Sequence, residues 1–489
     1  MPPRWLVRFL SELGLVSLWS STLDTKLLCL QHFVRLFAFG SSTLILVSHL
    51  LVLEVPKYRI GLFMTLAIIG DIILSFILTI FADALGRRTV LLIGATLMTT
   101  SGLVFAFADD YWIMLIAAIV GVISPGGNDI GPFRAIEEST IAHVTSEERR
   151  GDIYAWYSLI GTAGTAFGIG VCGWVVDVMV KDLLWESIRA YRTIFFLYSG
   201  LGVLIICLIL CLSKEWEAEA VQIDDNSVES SGKTYRISAL SMLPSFSRDS
   251  KLVVLKICLL WALESFGSNF TPLSWIIFFF ENKFDMPEIE IGSLFFATTI
   301  VPAISMMFAS SLAKRIGNVK AMVFTHLLSA VFLSLIPAPS TKPAAIVLLV
   351  LRSCTQSMDT PPRSAFLAEI VQPLKRTATI EFVNMARSFG SAFSPLITGF
   401  LAEKGKLWVA FVCAGALLVT YDVGVLAVFG RHQIAAAVED SDEEAAVGPK
   451  LPIIIVDEYQ EKDEENRASE NDLASVDPGE AEPKGVGEV

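Results

Sequence analysis

"VPKYRIGLFM" (Val55–Met64) and "MPEIEIGSLF" (Met286–Phe295) are one phrase written twice. Pro56 falls on Pro287, Ile60 on Ile291 and Gly61 on Gly292; further along, Ala82 falls on Ala313 and Gly86 on Gly317, all at an offset of 231 residues. Five identities at one offset, each at a helix end or in a loop, mark an internal duplication. A second group agrees with it: Asp129, Pro132 and Arg134 correspond to Asp359, Pro362 and Arg363, and Arg149–Arg150 to Lys375–Arg376. The chain therefore reads as two related halves, an arrangement built for one half to rock against the other.

Each half is too apolar for water. Hydrophobic residues make up 53% of the chain and charged ones 18%, with mean hydropathy +0.60. A soluble surface would need more charge than this. Crossing the hydrocarbon takes about 20 mainly apolar residues, and such stretches begin near Leu28, Gly61, Thr89, Tyr111, Asp152 and Tyr191, then near Leu252, Ile291, Val319, Lys342, Thr377 and Leu407. The expected fold is an all-α membrane protein of twelve transmembrane helices in two pseudo-symmetric six-helix bundles, 28–213 and 251–430. Around the bundles lie an amphipathic N-terminus (1–27), a polar linker (214–250) and an acidic tail (431–489). The N-terminal segment carries Arg4, Trp5, Arg8 and Glu12 and no small-residue cleavage site, so it reads as an interfacial helix and not a secretory signal.

From Glu439 onward there are seventeen acidic residues against four basic ones, which equals the whole formal net charge of −13. The tail is too charged to bury a core and reads as disordered. Basic residues after even-numbered spans (Arg87–Arg88, Arg149–Arg150, Lys314–Arg315, Lys375–Arg376) place those loops, both termini and the linker in the cytoplasm. The expected location is the plasma membrane. The seven cysteines lie inside the expected spans with no CxxC pair, so neither a disulfide framework nor a metal site is indicated.

The loop "ADALGRR" (Ala82–Arg88) resembles the signature of the major facilitator superfamily, usually written G-x-L-A-D-x-x-G-R-R. Asp83, Gly86, Arg87 and Arg88 match it, Thr79 stands where the signature opens with Gly, and "AKRIGNVK" (Ala313–Lys320) is a degenerate second copy. The resemblance runs from Leu28 to Gly430 and is closest in texture to fungal and bacterial members. It implies alternating access, a central cavity lined by spans one, four, seven and ten, and a gating role for Asp83, Gly86, Arg87 and Arg88. A topology anchor without switching is the plainer account of the same cations.

Ionisable side chains in lipid are costly and mark function. Span one carries Arg35, span two Asp71, span four Asp129 and Arg134, span seven Glu264, span eleven Arg387 and span twelve Asp422. Span ten carries Arg352, Asp359 and Arg363 at i, i+7 and i+11, one stripe of a helix. Glu264 is expected to pair with Arg352, and a carboxylate beside an Arg in low dielectric titrates when that Arg moves away. Arg35, Glu264, Arg352 and Asp359 are accordingly the expected cavity residues. A permanent structural ion pair between spans seven and ten is the alternative. Asp71, whose repeat mate is Pro302, is expected to bridge the halves to Arg387. Glu137, Glu138, Glu147 and Glu148 are expected to pair with Arg87 and Arg88 or to form a solvated face. The glycines of span five (Gly161, Gly164, Gly168, Gly170, Gly173) are expected to pack helices closely.

These residues point to proton-coupled secondary transport of a small organic solute, with efflux of drug-like or secondary metabolites ahead of uptake or exchange of a sugar or organic anion. No Walker-type loop supports ATP drive, no filter loop a channel, and no nucleophile cluster an enzyme. A transporter-like sensor signalling through its tail is a separate reading. No cofactor and no nucleic acid partner is expected, and the transporter is expected to be a monomer.

Overall fold

The computed structural model describes residues 15–121, 132–213, 248–370 and 376–447. Much of the linker, most of the tail and Asp129 lie outside these residues, as do the side chains of Asp83, Glu147, Glu148 and Lys314. A five-residue helix, Leu15–Trp19, precedes the first span.

Among the described residues, eight helices are long and apolar enough to cross a membrane. They supply span one (Leu23–Val52), span two (Lys57–Leu85), span three (Arg87–Phe107), span five (Glu147–Asp177) and span six (Ser187–Leu210). They also supply span eight (Glu288–Ile316), span nine (Asn318–Leu335) and span twelve (Leu407–Phe429). Spans seven, ten and eleven are each made of two helices, and span four is described in two stretches. Span four is Tyr111–Val120 and Pro132–Val144, with 122–131 outside the described residues; span seven is Arg248–Ser268 and Leu273–Phe284. Span ten is Lys342–Thr355 and Thr360–Ile370; span eleven is Arg376–Ala392 and Ser394–Glu403.

Proline sets most of the breaks. Pro272 holds an extended conformation at φ −60, ψ 156 ahead of Leu273, and Pro361–Pro362 and Pro395 sit in first turns, where a missing N–H costs nothing. Several helices start four or five residues before the apolar stretches do, Leu23 against Leu28 for instance, because polar first turns are helical without being apolar.

Burial is inverted relative to a water-soluble protein. Phe76, Ile116, Leu259 and Phe308 are each more than 60% exposed, whereas Glu137, His326, Asp359 and Asp422 are buried. Only an apolar solvent makes both choices favourable.

Loop glycines keep the two halves alike. Gly86 joins spans two and three at φ 84, ψ 138, and Gly317 joins spans eight and nine at φ 87, ψ 156. Both sit in a region almost reserved for glycine. Offset by 231 residues, they make the same turn in both halves.

The halves meet at the helix ends carrying Pro56 and Pro287. A Cβ on Gly61 would lie 2.5 Å from the Pro395 carbonyl oxygen and 2.8 Å from Gly399 Cα; one on Gly173 would lie 2.5 Å from the Glu288 oxygen and 2.8 Å from Gly292 Cα. Spans two and eleven, and spans five and eight, thus touch backbone to backbone. Around them the Lys57 N–H donates to Glu403 at 2.7 Å, the Leu396 N–H to Thr65 Oγ1 at 3.1 Å, and Ser48 to Glu281 at 2.6 Å.

Candidate functional site

Between the halves is a cavity of about 810 Å³. Spans one, four, seven and ten line it with His32, Arg134, Glu138, Thr271, Arg352 and Gln356, as the resemblance implies; spans five and eight add Tyr154, Tyr157, Phe295 and Pro302. Arg134, Glu138 and Tyr154 carry the lining toward the helix ends that hold Gly86 and Gly317, opposite the glycine contacts.

Of the four expected cavity residues, only Arg352 lines it. It closes the last turn of Lys342–Thr355, where the helix dipole favours a cation. The chain then unwinds over Gln356–Asp359 before the next helix starts at Thr360. This break is why the stripe reading fails: spacings of seven and eleven put residues on one face only while the helix is continuous. Arg352 is left on the cavity side, and Glu264 pairs elsewhere.

Glu264 is 3.6 Å from Arg363 and 3.5 Å from Arg387, and Ser268 donates to it at 3.2 Å. Arg363 also pairs with buried Asp359 and lies over the rings of Trp261 and Tyr421 at 5.7 and 5.8 Å. Next to Tyr421, His326 Nδ1 is 2.9 Å from Asp422, so spans nine and twelve join the cluster. Arg387, expected to reach Asp71, instead serves Glu264 and donates to Ser265 at 3.2 Å; Asp71 is buried in its own half.

Arg35 organises the first half. Its guanidinium grips fully buried Glu137 with two bonds, 2.7 and 3.0 Å, and stacks over Phe133 at 4.6 Å. Gln31 and Tyr157 donate to the same carboxylate. Glu137 therefore neither meets Arg87 or Arg88 nor faces solvent; Glu138 takes Arg134 at 2.7 Å. Arg35 also bonds His32 Nδ1 at 2.8 Å. A guanidinium only donates, so Nδ1 accepts and the neutral ring carries its proton on Nε2. That ring stacks on Tyr157 at 3.9 Å.

In the signature loop Arg88 donates to the Leu210 carbonyl at 2.7 Å, placing a cation on the last turn of span six. Span five behaves as expected: a Cβ on Gly168 would sit 2.1 Å from the Phe37 oxygen, and one on Gly164 2.5 Å from the Phe33 oxygen.

The sequence reading missed His32, Gln31, Tyr157 and His326 as network members. Two signals were available: His32 precedes Arg35 by three residues on one helix face, and His326 is the one ionisable group past the first turn of its apolar span.

The chain matches the Major Facilitator Superfamily model over residues 28–287 and 257–456, and it belongs to that family. A Saccharomyces cerevisiae membrane protein described as uncharacterized is 33% identical over 420 residues, 83% of this chain and 94% of that protein. The cis,cis-muconate transport protein of Acinetobacter baylyi is 22% identical over 265 residues, 52% of this chain and 60% of its own. The crystal structure of a D-xylose-proton symporter has the same fold, with TM-score 0.63 and 15% identity over 82% of this chain and 97% of that one. The chain is thus a multi-pass membrane transporter of a small-molecule solute, and not an enzyme.

Proposed function

We propose that the chain couples movement of a polar organic solute to protons, by alternating access around the 810 Å³ cavity. Glu264 carries this reading. It is buried and stands 3.5–3.6 Å from two cations on two different spans, looser than the 2.7–2.9 Å of a direct charge-assisted bond. Glu264, Arg363 and Arg387 all belong to the second half, so they part only where spans seven, ten and eleven move against one another within it, at the breaks over 269–272, 356–359 and 393. A carboxylate that loses either cation in low dielectric takes up a proton. With the termini in the cytoplasm, the conformation described is closed outside and faces inward.

The charged lining of Arg134, Glu138 and Arg352 suits a polar solute better than a lipophilic drug-like one. This moves a sugar or organic anion ahead of a drug-like solute. The likeness to a protein named for cis,cis-muconate transport points the same way.

The test is flux into proteoliposomes with and without an imposed pH gradient, using wild type and Glu264→Gln. Wild type should accumulate solute only with the gradient. Glu264→Gln should lose accumulation yet keep counterflow exchange. Gradient-driven accumulation that survives in Glu264→Gln removes the assigned role.

A further inference from the structure

We infer that the solute is an organic anion and that Arg352 is the group that holds it; the inference rests on the transport reading above and names the substrate class of the same cavity. It starts from charge balance. Three fully charged side chains, Arg134, Glu138 and Arg352, face the cavity, and Arg134 and Glu138 cancel each other at 2.7 Å. Arg352 remains. Among the described residues no carboxylate forms an ion pair with it and its buried Nε has no hydrogen-bond acceptor. Glu264, the partner expected for it in the sequence, is already shared by Arg363 and Arg387.

An uncompensated guanidinium at membrane depth is costly. Its place in the last turn of a helix offsets part of the cost and keeps it charged. An arriving anion supplies the rest. The planar donor fork of Arg matches a carboxylate or a similar oxyanion through two parallel bonds. A sugar leaves the charge unanswered, and an organic cation adds a second one. Thr271 Oγ1, also on the lining, is buried with no hydrogen-bond partner among the described residues and offers a second polar point. The volume fits an ordinary small-molecule site, and Tyr154 and Tyr157 give it aromatic walls. The anion therefore has an organic body.

The experiment uses the full chain in proteoliposomes and measures counterflow of benzoate, lactate and succinate against their amides, with glucose and benzylamine alongside. Thermal shifts of the purified protein read binding separately. At least one carboxylate should move and stabilise about tenfold or more better than its amide. Arg352→Gln should weaken that carboxylate by about ten- to a hundredfold, the usual yield of a charge-assisted bond. Arg352→Lys should fall between, because it keeps the charge without the fork. Movement of glucose or benzylamine alone, or wild-type carboxylate affinity in Arg352→Gln, overturns the anion inference and leaves transport standing. No counterflow of any solute by folded protein overturns both.

Discussion

Replacing Gly61 with alanine should open the face that is closed in this structure. The added Cβ would lie 2.5 Å from the Pro395 carbonyl oxygen, 2.8 Å from Gly399 Cα and 3.0 Å from the Gly399 nitrogen. All three are backbone atoms, so no side chain can rotate away and spans two and eleven must separate. Overpacking of this kind costs about 1–3 kcal/mol. Only the closed arrangement bears that cost, so its population relative to an open one should fall by about 5- to 150-fold. Alanine's better helix propensity, about 0.5–1 kcal/mol, acts in both arrangements and cancels. The repeat predicts the same result from Gly173→Ala, whose Cβ would meet the Glu288 oxygen and Gly292 Cα. Gly151→Ala and Gly200→Ala are controls, since a Cβ at either meets nothing within 4 Å. The assay is a spin-label distance distribution between Tyr58 and Phe400, whose rings stack 5.8 Å apart across the contact, each replaced by a labelled cysteine. Gly61→Ala should add or enlarge a longer-distance population. A distribution unchanged from the control variants would refute the reasoning.

Other substitutions read out the buried charges. Glu137→Gln leaves Arg35 buried without its counter-ion and should cost about 3–5 kcal/mol, seen as a lower thermal midpoint in detergent. Tyr157→Phe removes one bond to that carboxylate and should cost less, about 1.5–3 kcal/mol. A double-mutant cycle on Glu264 and Arg387 should give coupling of about 0.5–3 kcal/mol, and one on Asp71 and Arg387 close to none. Gly86→Ala and Gly317→Ala should each cost about 1–3 kcal/mol in the same melt, from the positive φ both positions require.

The sequence made the architecture legible because apolar length and duplication are local properties. Span starts near Tyr111, Lys342 and Leu407 agree with the structure to the residue. The site was legible only as a set of costly residues. Arg35, Glu264, Asp359 and Asp71 are buried and Arg352 lines the cavity, while Arg387 is partly exposed, and Glu264 pairs with Arg363 and Arg387 and not with Arg352. The pairing of Arg352 with Glu264 assumed a continuous span ten, and the break at Gln356–Asp359 separates Arg352 from Asp359 and Arg363. Glu137 and Glu138 looked equivalent as neighbours. A rotation of about 100° per residue sends one into the core to Arg35 and the other to Arg134 at the cavity.

The doubled phrase at Val55 and Met286 by itself determined two halves, their common turns and their membrane setting, since hydropathy and repeat offset need no third dimension. It also identified the matched glycines. Only the tertiary structure decided what they touch: Gly61 meets Gly399 of the other half, and Gly292 meets Gly173. The same holds for charge. Sequence counts ionisable groups, but which cation goes unpaired depends on distances between spans far apart in the chain. The fold satisfies Arg35, Arg363 and Arg387 with protein carboxylates and leaves Arg352 facing the cavity.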